Sequence, residues 1–394
     1  MKKSLISAIL LIAGTSIGAG MLALPVSTAQ LGFPSAVALM TISWYIMYIS
    51  ALLMLEANLN FAPGANIISM AGSYLGLFGK IFSWTIYLLL LYVLNSAYLS
   101  ALSDLLQNIT FDFIAISYTT AVIIIVAFFL SLVYLGANFI DKINRVLMLG
   151  LILSFVALVI LFWDHIEPSS ATHYSWFGAD VALPVLATSF GFHIIIPSLR
   201  SFLGDNKHDM QNAILYGSLI PLFIYIIWQF LVFSSVSMFG DNGLLALWGG
   251  GKVTGLLTEL MHTLNNKYFS LILNLFSFFI ITTSFIGVSL SLFDFLADGL
   301  KIEKSKFAKL YTAILTFLPP VIIVLANLKS FFIVLSLAGV FVALLLCLLP
   351  LAMVLVKRNF LKIKDNMFVG SIGIFLISFF ALSVIIIEVY KFSS

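Results

Sequence analysis

The amino-acid sequence predicts an all-helical protein that crosses a membrane many times, and three observations indicate this fold class. Hydrophobic residues make up 62% of the 394-residue chain and charged residues only 9%, whereas a soluble domain carries about 25% charged residues. The apolar residues form runs long enough to cross a bilayer, which takes about 20 residues. Two of these runs are interrupted near their centres by glycine, serine and threonine.

Eleven apolar runs meet the length requirement and are predicted to be transmembrane helices. They cover residues 4–29, 34–55, 81–105, 113–135, 145–163, 181–199, 213–236, 269–293, 310–325, 331–356 and 368–389. Two further helices are predicted outside the spans, at residues 60–74 and 253–264, and the second of these segments could instead be an ordinary surface loop. A polar turn at residues 204–211 could open another short helix. We therefore expect one membrane domain over residues 1–394.

The basic residues indicate how the chain is oriented in the lipid bilayer. With alternating sides and a cytoplasmic N-terminus, 15 of the 19 lysines and arginines fall on the cytoplasmic side, as the positive-inside rule requires. The C-terminus is then predicted to lie on the opposite side. A net charge of +3, spread over short loops, gives no indication of nucleic-acid binding.

None of the 16 acidic residues falls at the centre of a span. Glu56, Asp104, Asp294 and Glu388 lie near span ends, where we expect water or lipid headgroups to reach them. The single cysteine, Cys347, excludes an intramolecular disulfide and is predicted to be a small core residue. An ammonium group bound at mid-membrane would therefore be met mainly by dipoles rather than by a carboxylate.

The first interrupted run has Gly14, Gly18 and Gly20 at its middle, flanked by Thr15 and Ser16. Non-helical chain at membrane depth survives only where it is buried in protein or lines a wet cavity. We interpret residues 14–20 as a break whose free amides and carbonyls can bind a zwitterion. The alternative is a small-residue face for helix packing, because Gly14 and Gly18 also form a G-x-x-x-G pattern.

The sixth run is interrupted in the same way, by Thr188, Ser189, Gly191 and His193. It lies five spans after the first run, so the two cross the membrane in opposite directions. Paired broken helices of opposite direction indicate a secondary transporter built from inverted repeats. The predicted repeats cover residues 4–163 and 181–356, and residues 368–389 form an extra eleventh helix.

Three segments in order along the chain, residues 13–25, 189–199 and 283–294, resemble the hydroxy and aromatic amino acid permeases, above all the bacterial tyrosine and tryptophan permeases. The resemblance covers nearly the whole chain. It implies an eleven-span member of the amino acid–polyamine–organocation superfamily with the leucine-transporter fold. Such a protein imports an aromatic amino acid with a proton by alternating access, is no enzyme and needs no cofactor.

The resemblance favours L-tyrosine as the substrate and the bacterial inner membrane as the location. Tryptophan, phenylalanine, serine or threonine remain alternative substrates, and sodium remains an alternative coupling ion. The sequence also admits two other classes of protein. A channel would conduct ions without saturation. An intramembrane hydrolase would use the G-x-S-x-G pattern at residues 14–18 with His193 as base, but the strand-to-helix elbow and the orienting carboxylate of that motif are missing.

The predicted site holds the amino acid backbone at the two breaks, with carbonyls binding the ammonium group and amides binding the carboxylate. The third span offers Tyr87, Leu91, Asn95 and Leu99 along one face as a wall for the side chain. On this face, Asn95 either contacts the substrate or links two helices. The residues predicted to bind substrate are Ala13, Gly14, Thr15, Ser16, Gly18, Ala19, Gly20, Tyr92, Asn95, Ser189, Phe190, Gly191 and Phe192.

Three residues are predicted to take part in ion coupling. His193 is the only histidine at membrane depth, and its side chain ordinarily titrates near neutral pH. It is either part of proton coupling or gating, or a neutral imidazole bonded to a nearby carbonyl. In sodium-coupled relatives of the leucine-transporter fold, hydroxyls of the eighth span and carbonyls of the first form a cation site. The resemblance to the permeases implies that Thr283 and Ser284 lie at this place, and hydroxyl oxygens suit a hard cation.

Overall fold

The computed structural model of the chain describes residues 3–63, 65–110, 114–135, 137–163, 166, 172–239, 243–247, 253–300, 306–326, 331–360 and 368–393, and all regular structure in these ranges is helical. The α-helices are α1 (Lys3–Ser16), α2 (Gly20–Ser27), α3 (Gly32–Asn58), α4 (Ile67–Thr110), α5 (Tyr118–Leu135), α6 (Ala137–Phe162), α7 (Ala179–Ser189), α8 (Ile196–Leu203), α9 (Lys207–Ser235), α10 (Val253–Leu264), α11 (Lys267–Gly299), α12 (Lys306–Leu325), α13 (Phe331–Val342), α14 (Leu349–Leu355) and α15 (Ser371–Ser393). Two π-helical turns, Ala343–Leu348 and Val356–Phe360, follow α13 and α14.

The prediction of an all-helical polytopic membrane protein is confirmed. Within the described ranges, eight helices are long and apolar enough to cross a membrane, and α1 and α2 together form a ninth candidate span bent by 54°. Two shorter apolar helices, Tyr118–Leu132 and Lys309–Leu325, coincide with the predicted fourth and ninth spans. The count of eleven spans and the inverted repeat stay predictions.

Local sequence signals explain where several helices begin or bend. The side chains of Asn206 and Asn266 accept hydrogen bonds from the first-turn amides of α9 and α11, which otherwise lack partners in their helices. At Gly76 the backbone has φ of 68°, a conformation that favours glycine. This kink separates the start of α4, which lies in the predicted interfacial helix at residues 60–74, from its span. The predicted helix at residues 253–264 coincides with α10.

The helices pack in two groups with a cavity between them. In the first group, α9 packs against α1 and α3, and α2 packs against α7. In the second, α11 packs against α4, α6 and α12. The two groups meet where α13 packs against both α4 and α7, so the two interrupted spans face the second group across the cavity.

The prediction that water or headgroups reach the acidic residues near span ends is wrong for three of the four. Glu56, Asp104 and Glu388 are 0%, 2% and 3% exposed, and only Asp294 is exposed. Glu56 and Glu388 have partners that lie far away in the sequence. Glu388 on α15, for example, accepts hydrogen bonds from the hydroxyl of Ser336 on α13 and from Lys391.

Glu56, near the end of α3, forms a buried ion-pair cluster with Lys357 and Arg358. Its carboxylate lies 3.3 Å from Nζ of Lys357 and accepts a 2.8 Å hydrogen bond from Nε of Arg358. A second guanidinium nitrogen of Arg358 and the amide of Phe368 also donate to it. The cluster therefore joins α3, the π-helical turn after α14 and the segment leading to α15.

Candidate functional site

The first interrupted span is broken over three residues. Helix α1 ends at Ser16 and α2 begins at Gly20, and residues 17–19 are not helical. The break is shorter than the predicted residues 14–20, and Gly14 lies inside α1. A Cβ atom on Gly18 would lie 2.9 Å from Oγ of Ser284, and one on Gly20 would lie 2.8 Å from Oγ of Ser189. A side chain at either position would therefore have to displace one of these hydroxyls, because the first break packs directly against α11 and the second break.

The second interrupted span is broken immediately after Ser189, where α7 ends. Residues 190–192 are not helical, a 3₁₀ turn covers His193–Ile195, and α8 begins at Ile196. The two halves together make the candidate span Ala179–Arg200. Both predicted breaks are thus present, and they touch each other through Gly20 and Ser189.

A cavity of about 410 Å³ lies between the two breaks and helices α4, α6, α11 and α13. Its volume falls in the range of about 300–1,000 Å³ that is typical of small-molecule sites. Its wall includes Gly14, Thr15, Ser16, Ile17, Gly18 and Gly20 from the first break, Thr188, Ser189, Gly191, Ile194 and Ile195 from the second, Asn144 and Met148 from α6, and Thr283, Ser284, Gly287, Val288 and Ser291 from α11.

The rest of the wall is Leu335, Val342 and Leu346, from α13 and the π-helical turn after it, and a mainly apolar face of α4. The α4 face consists of Tyr87, Leu90, Leu91, Leu94 and Tyr98, which recur at helical spacing along one side of the helix. Two of these residues, Tyr87 and Leu91, lie on the face predicted from the sequence. The cavity therefore has a polar side made by peptide groups and hydroxyls and an apolar side made by α4.

The structure brings nine of the predicted site residues into the cavity wall and leaves seven outside it. Those in the wall are Gly14, Thr15, Ser16, Gly18, Gly20, Ser189, Gly191, Thr283 and Ser284. Those outside it are Ala13, Ala19, Tyr92, Asn95, Phe190, Phe192 and His193.

Asn95 and Tyr92 both contact neighbouring helices. The side-chain oxygen of Asn95 accepts a 2.8 Å hydrogen bond from the hydroxyl of Ser289, which links α4 to α11. The hydroxyl of Tyr92 donates to the carbonyl oxygen of Leu315 on α12 at 3.0 Å. Of the two roles considered for Asn95, this contact matches the link between helices.

His193 lies at the second break with its side chain fully buried. Among the described residues, neither ring nitrogen makes a hydrogen bond of ordinary geometry, and the backbone of Met47 on α3 lies beside the ring. The ring of Phe192 is 5.1 Å away. The neighbours Gly191 and Ile194 line the cavity, so His193 adjoins the cavity from behind its wall.

Residues 1–389 match the tryptophan/tyrosine permease family. The chain belongs to this family. Two relatives at 32% identity are the tyrosine-specific transport system 1 of Haemophilus influenzae, aligned over 89% of this chain and 87% of the relative, and the low affinity tryptophan permease of Escherichia coli, aligned over 93% and 90%. The glutamine transporter 2 of Aliivibrio fischeri is 28% identical over 91% of this chain and 90% of its own. This permease is therefore a transport protein and not an enzyme.

A solved structure with the same overall fold supports the helical architecture of the permease. A mutant of the manganese transporter of Eremococcus coleocola superimposes with a TM-score of 0.63, covering 98% of this chain and 85% of that protein at 13% sequence identity. At this identity the likeness concerns the fold alone.

The sequence analysis of the permease missed several residues of the cavity wall. Asn144 lies directly before the predicted fifth span and was treated as a loop residue, yet it lines the cavity near the start of α6. Gly287 and Ser291 follow Thr283 and Ser284 along the same face of α11. Helical spacing from Thr283 was the signal that could have found both.

Ser284→Ala is expected to destabilise the first break and thereby reduce transport. The hydroxyl of Ser284 accepts a 3.0 Å hydrogen bond from the amide of Ala19 and donates to the carbonyl oxygen of Ile280. Without it, a partly buried amide loses its partner at a cost of about 1–3 kcal/mol, and we expect uptake of the transported amino acid to fall roughly tenfold. Ser378→Ala is the matched control, because its hydroxyl donates to the carbonyl oxygen of Ile374 within the same helix, α15. Equal uptake by the two variants would contradict the role of this contact.

Proposed function

We propose that this permease imports an aromatic amino acid, with L-tyrosine as its main substrate, by proton symport across the bacterial inner membrane. The proposal includes eleven spans, a cytoplasmic N-terminus, a periplasmic C-terminus, and alternating access through inverted repeats at residues 4–163 and 181–356, with an eleventh helix at 368–389. The observation that carries it is the two-sided cavity, with two helix breaks on one side and the apolar face of α4 on the other.

The helix breaks supply groups that match the two charges of an amino acid. The C-terminal ends of α1 and α7, at Ser16 and Ser189, both reach the cavity wall, and the C-terminal end of a helix favours a cation such as an ammonium group. Helix α2 begins at Gly20, also in the wall, and its N-terminal end favours a carboxylate. In addition, the hydroxyl of Ser16 is buried without a partner among the described residues.

The opposite side of the cavity suits a flat, mainly apolar ring. Leu90, Leu91 and Leu94 provide contact surface, and a Cβ atom built on Gly287 would meet no atom within 4 Å, so there is open space beside α11. Apolar walls with a few polar groups are typical of small-molecule sites. Asn144 and Ser291 are the polar residues of α6 and α11 that can meet a phenol or indole.

The cavity wall also suggests which conformation the structure represents. The wall residues of α6 come from its first half and those of α11 from its midpoint onward, while those of α4 lie around the middle of its span. By the predicted orientation, these parts of α6 and α11 lie toward the cytoplasm. We infer that the cavity belongs to a cytoplasm-facing state.

Uptake into proteoliposomes tests the function directly. With purified protein in sodium-free buffer and an inward proton gradient, we expect accumulation of labelled L-tyrosine that an uncoupler abolishes. Unlabelled tryptophan, phenylalanine, serine and glutamine then rank the substrates by competition. Stronger competition by tryptophan than by tyrosine would show that tryptophan is the main substrate. Accumulation that needs sodium and persists in the presence of the uncoupler would show that sodium is the coupling ion. Ion current without saturable uptake would indicate a channel.

His193→Gln tests the proton role of His193. Glutamine keeps hydrogen-bonding capacity but cannot take up a proton, so we expect gradient-driven accumulation to fall roughly tenfold. Exchange of labelled for unlabelled substrate without a gradient should continue. His208→Gln, on the exposed first turn of α9, is the control. Unchanged gradient-driven accumulation by the His193 variant would remove this residue from the coupling mechanism.

A further inference from the structure

One tyrosine hydroxyl joins the two broken helices. The hydroxyl of Tyr225 on α9 donates to the carbonyl oxygen of Ser16 at 2.6 Å and lies 3.2 Å from the carbonyl oxygen of Ser189. Ser16 is the last residue of α1, and Ser189 is the last residue of α7. Tyr225 itself is fully buried, and it is absent from the cavity wall.

The two carbonyls that meet at Tyr225 need an external donor. The last carbonyls of a helix have no partner within it, and they carry the negative end of the helix dipole. Two such ends side by side repel each other, and a buried carbonyl without a donor costs free energy. The hydroxyl of Tyr225 is a donor placed between them, and the ring of Phe190, 5.5 Å away, packs against the ring that carries it.

We propose that Tyr225 is a positioning residue for the ammonium group of the substrate. Ser16 and Ser189 line the cavity on one side and bond to Tyr225 on the other. The single hydroxyl proton bonds to one of the two oxygens or is shared between them. Because each carbonyl oxygen has two lone pairs, each keeps at least one for the ligand. Tyr225 thereby holds two acceptors together for one ammonium group.

The proposal predicts which part of the substrate depends on Tyr225. This inference rests on the proposed function, because it requires that the cavity bind an amino acid. A structural role would affect every ligand of the cavity alike. A positioning role affects only ligands that carry the ammonium group, so the comparison of an amino acid with its desamino analogue isolates it in the manner of a double-mutant cycle.

The experiment measures the affinity of purified protein for L-tyrosine and for hydroxyphenylpropionate, which lacks the ammonium group. In Tyr225→Phe, which keeps the ring and removes the hydroxyl, we expect the preference for L-tyrosine over the analogue to fall about tenfold, or about 1.4 kcal/mol. Affinity for the analogue should stay within about twofold of the wild type, a change of under 0.5 kcal/mol. Tyr216→Phe, at an exposed position on the same helix, is the control and should leave both affinities unchanged.

Three results would overturn the role of Tyr225: an unchanged preference, equal losses for both ligands, or tighter binding of L-tyrosine, which would mean that the hydroxyl competes with the ammonium group. If Tyr225→Phe does not fold, Phe190→Leu is the second variant. It keeps the hydroxyl of Tyr225 but removes the aromatic ring that packs against the ring of Tyr225, and the preference for L-tyrosine over the analogue should still fall. An unchanged preference in that variant also overturns the proposal.

The same measurements distinguish a failure of the proposed function from a failure of the role of Tyr225. If wild-type protein binds no aromatic amino acid, the aromatic substrate is wrong. The same comparison is then made with the amino acid that most raises the melting temperature of the wild type and with its desamino form. If no amino acid binds, both proposals are overturned.

Discussion

Glu56→Gln is expected to lower the stability of the permease strongly. Glu56 is fully buried, as is Lys357, and Arg358 is 9% exposed. Removing the carboxylate leaves two buried cations without their shared partner, and breaking a buried ion pair in this way costs about 3–5 kcal/mol. We expect the melting temperature of the purified protein in detergent to fall by roughly 5–15 °C.

Two comparisons separate the loss of the ion pair from a general loss of charge. Asp205→Asn removes an exposed carboxylate from the buried Arg200, which still donates to the carbonyl oxygens of Asn58 and Phe61. Because the guanidinium keeps these partners, we expect a loss of only about 1 kcal/mol. Replacing Glu56, Lys357 and Arg358 together by leucine and methionine should recover much of the stability, because no buried charge then remains unpaired. A melting temperature of Glu56→Gln equal to that of Asp205→Asn would contradict this account of the cluster.

The two breaks could be predicted from the sequence because they contradict their surroundings. Gly18 and Gly20 interrupt an apolar run, and Ser189 and Gly191 interrupt another, so the local conflict is visible without any knowledge of packing. The length of the first break could not be predicted in the same way. It depends on Ser284 of α11, which bonds to the amide of Ala19, and that contact is known only once the helices are packed.

Other features depend on contacts between distant parts of the chain. Helical spacing predicts which residues share a face of α4, but not which face meets the cavity, so Asn95 was expected there and Leu94 lines it instead. Glu56 was expected to reach water because it lies near a span end, but its partner Lys357 comes 301 positions later and covers it. Tyr225 has no distinguishing pattern in an apolar helix, and its importance depends on two carbonyls from other spans.

Gly339→Ala is expected to abolish most transport by forcing two spans apart. A Cβ atom on Gly339 of α13 would lie 2.8 Å from the carbonyl carbon of Pro184 on α7, and its oxygen would be closer still. Backbone atoms cannot move aside as a flexible side chain can, and forcing extra volume into a packed interior costs about 1–3 kcal/mol. Small residues allow such close helix contacts in membrane proteins.

The displacement caused by Gly339→Ala should act directly on the cavity. Leu335 and Val342, one turn to either side on α13, both line it, and the carbonyl oxygen of Leu335 accepts a hydrogen bond from Thr188 at the second break. We expect initial uptake to fall about 100-fold, which corresponds to about 2.7 kcal/mol. Gly370→Ala, where an added Cβ atom meets nothing within 4 Å, is the control. Equal uptake by the two variants would show that the contact between α7 and α13 does not set the shape of the site.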